Sequence, residues 1–493
     1  MRGRLGVFFV VVCCVMLNAS CVSRHKENAV SAKAADADRA AAKANDSQRV
    51  AVDGNSKTLL TDRAVRYAGM PDFPSVGLVL RAASQVGAAV EFKSHCTGTL
   101  ISPNLVLTAA HCICNESASL GTFDECVRDR PTAEHWRTDN YRVFFQHSGV
   151  YKVRRLEIFG QSGSGNGYDH GFGDLAVFEL DRSVENVKAA ELMPDGALLP
   201  GGATAKLNSI VVGFGLNGVA NTQSGIKFHA FGLAKGCSSP VDMGTVEALC
   251  SYWKLPPATS VEKASVEGII CKGDSGGPMF AFLEAAQPPR TQKFELLGVA
   301  SRGTNSSNCG QQSTSYHVKI NLPIYANWIK GQIALANTGL ASMPAIPVNH
   351  PRTGDMLEPV FNEDVSYFID NNDRSGVFEK GFIELGASEI VSQSFLVPSG
   401  VQHVRVTANA TKRQPTQSAA LTLKVVKISG TGTQEICAVS NATQNMPVLE
   451  CPVTKVTAGT YRVEIAGAAG RSVQFAATAY SNPLISWNLM ESR

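Results

Sequence analysis

Residues Cys96–Cys112 read CTGTLISPNLVLTAAHC. Within this stretch Leu105–Ala109 is an apolar run of strand length, preceded by Ser, Pro and Asn. The run leads into Ala110 and His111, and Cys112 follows directly. A bridge from Cys112 to Cys96 would pin the histidine loop to the strand before it. Runs of the same kind recur on both sides, at Val76–Leu80, Leu175–Leu180, Ser209–Val212 and Leu296–Ala300, with Gly, Ser, Asn and Pro between them. Many short strands, and a single closing helix that starts over Tyr325–Lys330, predict an all-β unit.

The whole chain has 493 residues, room for roughly three domains at about 150 residues each. Apolar residues make up 44%, so sizeable cores can form and global disorder is excluded. Lys and Arg number 45 against 42 Asp and Glu, a formal charge of +3. That balance lacks the basic excess of a nucleic-acid binder, and no nucleic-acid partner is expected. Of 13 Cys, three lie near the N-terminus (Cys13, Cys14, Cys21) and an even number remain in the body, which fits an exported, disulfide-bonded protein.

Residues 1–20 read as an export signal: Arg2 and Arg4 precede the apolar run Leu5–Leu17, which is too short to span a bilayer comfortably. The segment LNASC, Leu17–Cys21, resembles a bacterial lipoprotein signal, with Asn18 departing from that pattern. Two readings stand, a lipid on Cys21 that anchors the protein to a membrane, or cleavage after Ala19 that leaves Cys21 free. Residues 21–60, rich in Ala, Lys, Asp, Asn and Ser, read as a tether or pro-segment. Residues 61–338 form the strand-rich unit, 339–356 a proline-containing linker, and 357–493 a second unit. In that second unit Ser392–Gly400, Val401–Ala410, Ser418–Ile428, Gly459–Gly467 and Ser472–Tyr480 alternate or run apolar over strand length. They predict an antiparallel β-sandwich with one face of each sheet buried. Cys437 and Cys451 sit there as a local bridge.

Three stretches carry chemistry: Cys96–Cys112, GDLAVFEL (Gly173–Leu180) and CKGDSGGPMF (Cys271–Phe280). A serine hydroxyl is a poor nucleophile near neutral pH and needs a base to take its proton. Histidine suits that task, and a carboxylate must fix its tautomer and stabilise the imidazolium that forms. Ser275, His111 and Asp174 supply the set. Glycines 273, 276 and 277 let the backbone fold tightly around Ser275, so that the N–H groups of Gly273 and Ser275 aim at one developing oxyanion. No spaced Cys/His set suggests zinc, and no metal or cofactor is expected.

TAAHC and GDSGGP, in this order, resemble the two signatures of the chymotrypsin/trypsin-like serine endopeptidases. The resemblance covers roughly residues 64–335 and implies two six-stranded antiparallel barrels with the site between them. His111 and Asp174 would come from the first barrel and Ser275 from the second. It implies the bridges Cys96–Cys112, Cys237–Cys250 and Cys271–Cys309, which leaves Cys114 with Cys126. It also implies that Asp274 pairs with an ammonium freed by zymogen cleavage. The family's usual Ile-Val-Gly-Gly start is missing, and Ala64–Gly69 stands nearest to it, after Arg63. Ile269, six residues before Ser275, would form the base of the primary pocket, beside Ile270. Ser301, Arg302 and Gly303 would form one wall, and Thr314 or Ser315 would narrow the slot. An aliphatic base cannot pair a Lys or Arg charge, so a small or medium apolar residue is expected there. The C-terminal unit loosely resembles the pre-peptidase C-terminal β-sandwich modules of secreted bacterial peptidases.

The sequence therefore reads as an all-β serine endopeptidase, a two-barrel chymotrypsin-like domain followed by a β-sandwich. It would act on protein or peptide substrates and be exported to the periplasm, the outer membrane or the medium of a bacterium. A non-catalytic binding or adhesion protein on a protease scaffold is the alternative.

Overall fold

Short β-branched and aromatic runs, each broken by turn residues, form the strands that set the architecture. The computed structural model describes residues 65–67, 73–86, 89–114, 136–146, 148–159, 173–184, 187–195, 207–216, 224–237, 248–253, 270–284, 292–303, 313–341, 383–384, 390–397, 403–410, 420–430, 432–441, 447–454, 456–467 and 472–480. The export signal, the tether with Cys21, Ala64, the linker beyond Ala341, Cys126, Ile269 and Cys309 lie outside the described residues.

A short strand, Val65–Tyr67 (β1), comes first. Val76–Val86 (β2), Ala89–Ser102 (β3), Leu105–Thr108 (β4), Tyr141–Phe145 (β5), Gly149–Ile158 (β6) and Ala176–Leu180 (β7) then form a closed barrel in the order β2-β3-β4-β7-β6-β5. Strand β7 is buried along its whole length, Glu179 included. That carboxylate is tolerated because Arg154 and Arg155 both pair with it, the latter at 2.6 Å.

After Glu191–Leu192 (β8), the strands Leu207–Gly213 (β9), Phe228–Gly236 (β10), Ala248–Trp253 (β11), Pro278–Glu284 (β12), Gln292–Gly303 (β13) and Ser313–Lys319 (β14) follow. Their pairings run β9-β10-β11-β14-β13-β12 and return to β9, a second ring. Strand β1 adds to β10, with Arg66 opposite His229, so the Arg66–Tyr67 bond sits inside a paired strand. The helix Pro323–Ala341 (α1) closes this half and buries Tyr325, Ile329 and Ala336. Its first residue is proline, which needs no intrahelical N–H there.

The C-terminal part holds Ile383–Glu384 (β15), Ile390–Val397 (β16), His403–Ala410 (β17), Thr422–Ser429 (β18), Gly432–Ser440 (β19), Val448–Thr454 (β20), Gly459–Ala466 (β21) and Ser472–Tyr480 (β22). They make two four-stranded antiparallel sheets, β15-β22-β17-β20 and β16-β21-β18-β19. Val404, Val406 and Ala408 from one sheet and Leu423, Val425, Val463 and Ile465 from the other share a core. The Cys437–Cys451 disulfide ties β19 to β20 and so joins the sheets.

One buried face per sheet describes β21, where buried residues alternate with half-buried ones. It does not describe β17. Arg405, Thr407 and Asn409 alternate with the core residues there, yet all three are buried, as is Gln474 on the neighbouring β22. This sheet is covered on both faces, because its polar face lies against the barrels.

Candidate active site

His111 sits in a single 3₁₀ turn, Ala110–Cys112, directly after β4. The Cys96–Cys112 disulfide fastens that turn to β3, with the Cα atoms 6.2 Å apart. Asp174 lies just before β7 and is fully buried. Its Oδ1 accepts the His111 backbone N–H at 3.0 Å, and its Oδ2 lies 2.8 Å from His111 Nδ1. The Ser301 hydroxyl also donates to Oδ2, at 2.5 Å. Gly173, next in the chain, donates its N–H to the Tyr325 hydroxyl at 3.0 Å, which ties the aspartate's loop to α1.

The loop Cys271–Gly277 carries Ser275 to the same place. Thr97 on β3 donates its N–H to the Ser275 carbonyl at 2.8 Å and its hydroxyl to the Gly273 carbonyl at 2.9 Å. Gly276 donates to the Ala300 carbonyl at 2.7 Å. Cys112 Sγ lies 3.6 Å from the Ser275 carbonyl oxygen, so Ser275 stands against the residue that follows His111. Gly276 takes φ +81°, and a Cβ there would fall 2.0 Å from Thr108 Oγ1 and 2.3 Å from the Thr97 carbonyl. Only glycine lets the serine loop approach the first barrel this closely.

Burial alone would raise the Asp174 pKa. The His111 charge, the His111 and Ser301 hydrogen bonds and the His111 N–H outweigh it, and the carboxyl is held below its ordinary value. Asp174 therefore stays ionised at neutral pH. Asp274 is the opposite case. Its Oδ1 accepts from Gly215 N and its Oδ2 from Cys271 N, both at 2.7 Å. A Cβ on Gly213 would lie 2.0 Å from Oδ1, so a glycine makes room for the carboxylate. Its dry surroundings push it up to about 6 against those two bonds. Among the described residues its hydrogen-bond partners are peptide N–H groups, and no ammonium is bonded to it.

Ile270 donates its N–H to the Ser315 hydroxyl at 2.9 Å, so Ser315 fastens the segment ahead of the serine loop. Gly303 lies beside Ile270, whose carbonyl would be 3.4 Å from a Cβ there. The Arg302 guanidinium lies over the Tyr316 ring at 4.9 Å. Ser301 turns its hydroxyl to Asp174. The register shift between Ala300 and Arg302 interrupts the regular alternation at that point.

Sequence reasoning passed over His317. It is opposite Ala300 on β13 and two residues from Ser315, on the same face of β14. It is 1% exposed, and neither ring nitrogen has a hydrogen-bond partner among the described residues. Burial lowers its pKa to about 3.

The ligand atoms of Cys96, His111 and Cys112 lie within 4.8 Å of one another. Both cysteines are joined in a disulfide, which leaves no thiolate to hold a metal. Cys237–Cys250 and Cys437–Cys451 also form as expected. Cys114 and Cys271 are disulfide-bonded too.

The family model named Trypsin matches residues 80–329, just over half of the chain. The chain belongs to the trypsin family. This trypsin-family chain is 27% identical to chymotrypsin-C of Bos taurus over 259 residues, which cover 50% of the chain and 80% of that protein. It is 26% identical to the suppressor of tumorigenicity 14 protein homolog of Bos taurus over 266 residues, 51% of the chain and 26% of that protein. With coagulation factor XII of Cavia porcellus it shares 28% over 262 residues, 49% of the chain and 37% of that protein. The trypsin-family chain thus spans only about a quarter of the length of the suppressor of tumorigenicity 14 protein homolog and about four fifths of chymotrypsin-C.

Proposed function

We propose that this chain is an exported serine endopeptidase working through Ser275, His111 and Asp174. The observation that carries the reading is the bonded set His111–Asp174–Ser301, with the Ser275 loop fastened beside it through Thr97. In this reading His111 Nε2 takes the Ser275 hydroxyl proton as Oγ adds to the scissile carbonyl. The Gly273 and Ser275 N–H groups receive the negative oxygen. His111 then returns the proton to the leaving amine, which departs and leaves an acyl ester on Ser275. Water, deprotonated by His111, adds to the ester, and collapse returns the proton to Ser275. Asp174 holds Nδ1–H throughout and stabilises the imidazolium without being protonated itself.

The substrate class is protein or peptide, with a small or medium apolar side chain in the pocket beside Ile270 and Gly303. Asp274 would accept an ammonium freed by cleavage near Arg63. Export is supported by the disulfides, which persist in oxidising compartments. A lipid on Cys21 remains part of the proposal. No helix among the described residues is long and apolar enough to cross a membrane.

The test is cleavage of a mixed peptide library by the native chain and by Ser275→Ala, read by mass spectrometry. Cuts made by the native chain alone support the reading. Equal cutting by both proteins contradicts it.

A further inference from the structure

The polar face of the sheet β15-β22-β17-β20 is buried against both barrels. Asn409 and Gln474 stand opposite each other on β17 and β22 and are 0% and 1% exposed. Gln146, in the turn between β5 and β6 of the first barrel, donates its amide to Gln474 Oε1 at 2.9 Å and to Asn409 Oδ1 at 3.2 Å. Thr407 donates its hydroxyl to the Gln146 carbonyl. Glu450, paired with Arg405, accepts the Val150 N–H at 3.2 Å.

The same amides hold the second barrel. Gln474 accepts the Lys227 N–H at 2.8 Å and donates to the Lys227 carbonyl at 3.0 Å, the two-bond pattern of a strand neighbour. Asn409 donates to the Gly225 carbonyl at 2.7 Å. Two glycines shape the seat. Gly149 takes φ +89°, and a Cβ there would run into the Glu450 carboxylate at 2.1 Å. Gly225 takes φ +101°, with the Ala410 carbonyl 2.8 Å from its Cβ position.

From Gly225 the bonds continue to the serine loop. Gly225 N–H donates to the Phe214 carbonyl at 2.8 Å, and Phe214 N–H donates to Thr97 Oγ1 at 3.0 Å. Thr97 in turn holds the Gly273 and Ser275 carbonyls. Gly215, next to Phe214, holds Asp274. The barrels' relative placement and the serine loop's backbone are therefore fastened to groups on the C-terminal sheet.

We infer that Asn409 and Gln474 are positioning residues for the reaction at Ser275. The C-terminal sheet domain is a brace that sets the two barrels against each other and fixes the Gly273–Ser275 loop through Gly225, Phe214 and Thr97. The inference rests on the endopeptidase reading above. Its physical basis is that each buried peptide group at the seat needs its partner, and that small displacements of a reacting loop cost rate steeply.

The test compares full-length native protein with Asn409→Ala and Gln474→Met, with active sites titrated by a fluorophosphonate. The expected result is kcat per titrated site lowered about tenfold with KM within about twofold, while a cooperative melting transition remains. Thr407→Val should also lower kcat, and Thr407→Ser, which keeps the hydroxyl, should restore it. Native kcat per titrated site in folded Asn409→Ala overturns the inference. If that variant does not fold, native kcat in Thr407→Val does so. If the native chain itself neither hydrolyses peptides nor reacts with the probe, the enzymatic reading is what falls. The brace is then read by hydrogen exchange: faster exchange at the Phe214 and Gly225 amides in Thr407→Val supports it, and unchanged exchange overturns it.

Discussion

The Ser301 hydroxyl and His111 Nδ1 converge on one oxygen, Asp174 Oδ2, at 2.5 and 2.8 Å. The other oxygen takes the His111 backbone N–H. The carboxylate is thereby fixed in direction and kept ionised, with its pKa below the ordinary range. Neutralising it in Asp174→Asn should lower kcat about 10⁴-fold, as it does when the carboxylate of such a triad is made an amide. Ser301→Ala removes one bond to a charged acceptor and should lower kcat by about threefold to tenfold, with KM little changed. Steady-state kinetics on both variants measures the ratio.

Ile270 lies beside Gly303 and near the serine loop, and neither supplies a charge to a cationic side chain. A panel of peptides that differ only at the residue before the cut should therefore favour small or medium apolar side chains over Lys and Arg. A clear win for Lys or Arg would contradict that assignment.

His317 makes an acid limb. Its folded-state pKa is about 3, against an ordinary 6.5. Below pH 6.5 the unfolded chain takes up a proton that the folded chain refuses, so stability falls as pH drops from 6.5 towards about 3. His95, lowered to about 4 chiefly by burial and then by the Arg81 charge, adds to the same trend. In His317→Leu the unfolding free energy should become less pH-dependent across that window, by up to about 1.4 kcal/mol per pH unit. Urea titrations at several pH values would show it, and parallel curves for variant and native protein would refute it.

The Cys96–Cys112 bridge closes a loop over a separation of 16 residues and carries the His111 turn. Replacing both cysteines by alanine should lower unfolding free energy by about 3 kcal/mol. It should also lower kcat, since the turn loses its tie to β3. Equilibrium unfolding and kinetics on the double variant check both effects.

The parts legible in the sequence were those set by local pattern. The run before His111, the glycines around Ser275 and the strand after Asp174 each announced an element and a role within a few residues. The bridges Cys96–Cys112 and Cys437–Cys451 join strands or turns that are near in sequence. What escaped depended on contacts between residues far apart in sequence. Arg405, Thr407 and Asn409 alternate with valines and alanine just as a solvent face would. Period-two patterning separates the two faces but does not say that barrels cover the polar one. The bond from Ser301 to Asp174 escaped because its hydroxyl direction follows from a register shift that no residue type signals. Strand β19 went unread because TQEICAVS has little to bury.

A covalent adduct on Ser275 is the most direct test of the serine's role. Native protein with its disulfides intact should take up a fluorophosphonate on the peptide carrying Ser275. His111→Ala should take it up far more slowly, and Ser275→Ala should not take it up at all. An unlabelled native Ser275, or equal labelling in all three proteins, would contradict the assignment of this cleft as a serine hydrolase site.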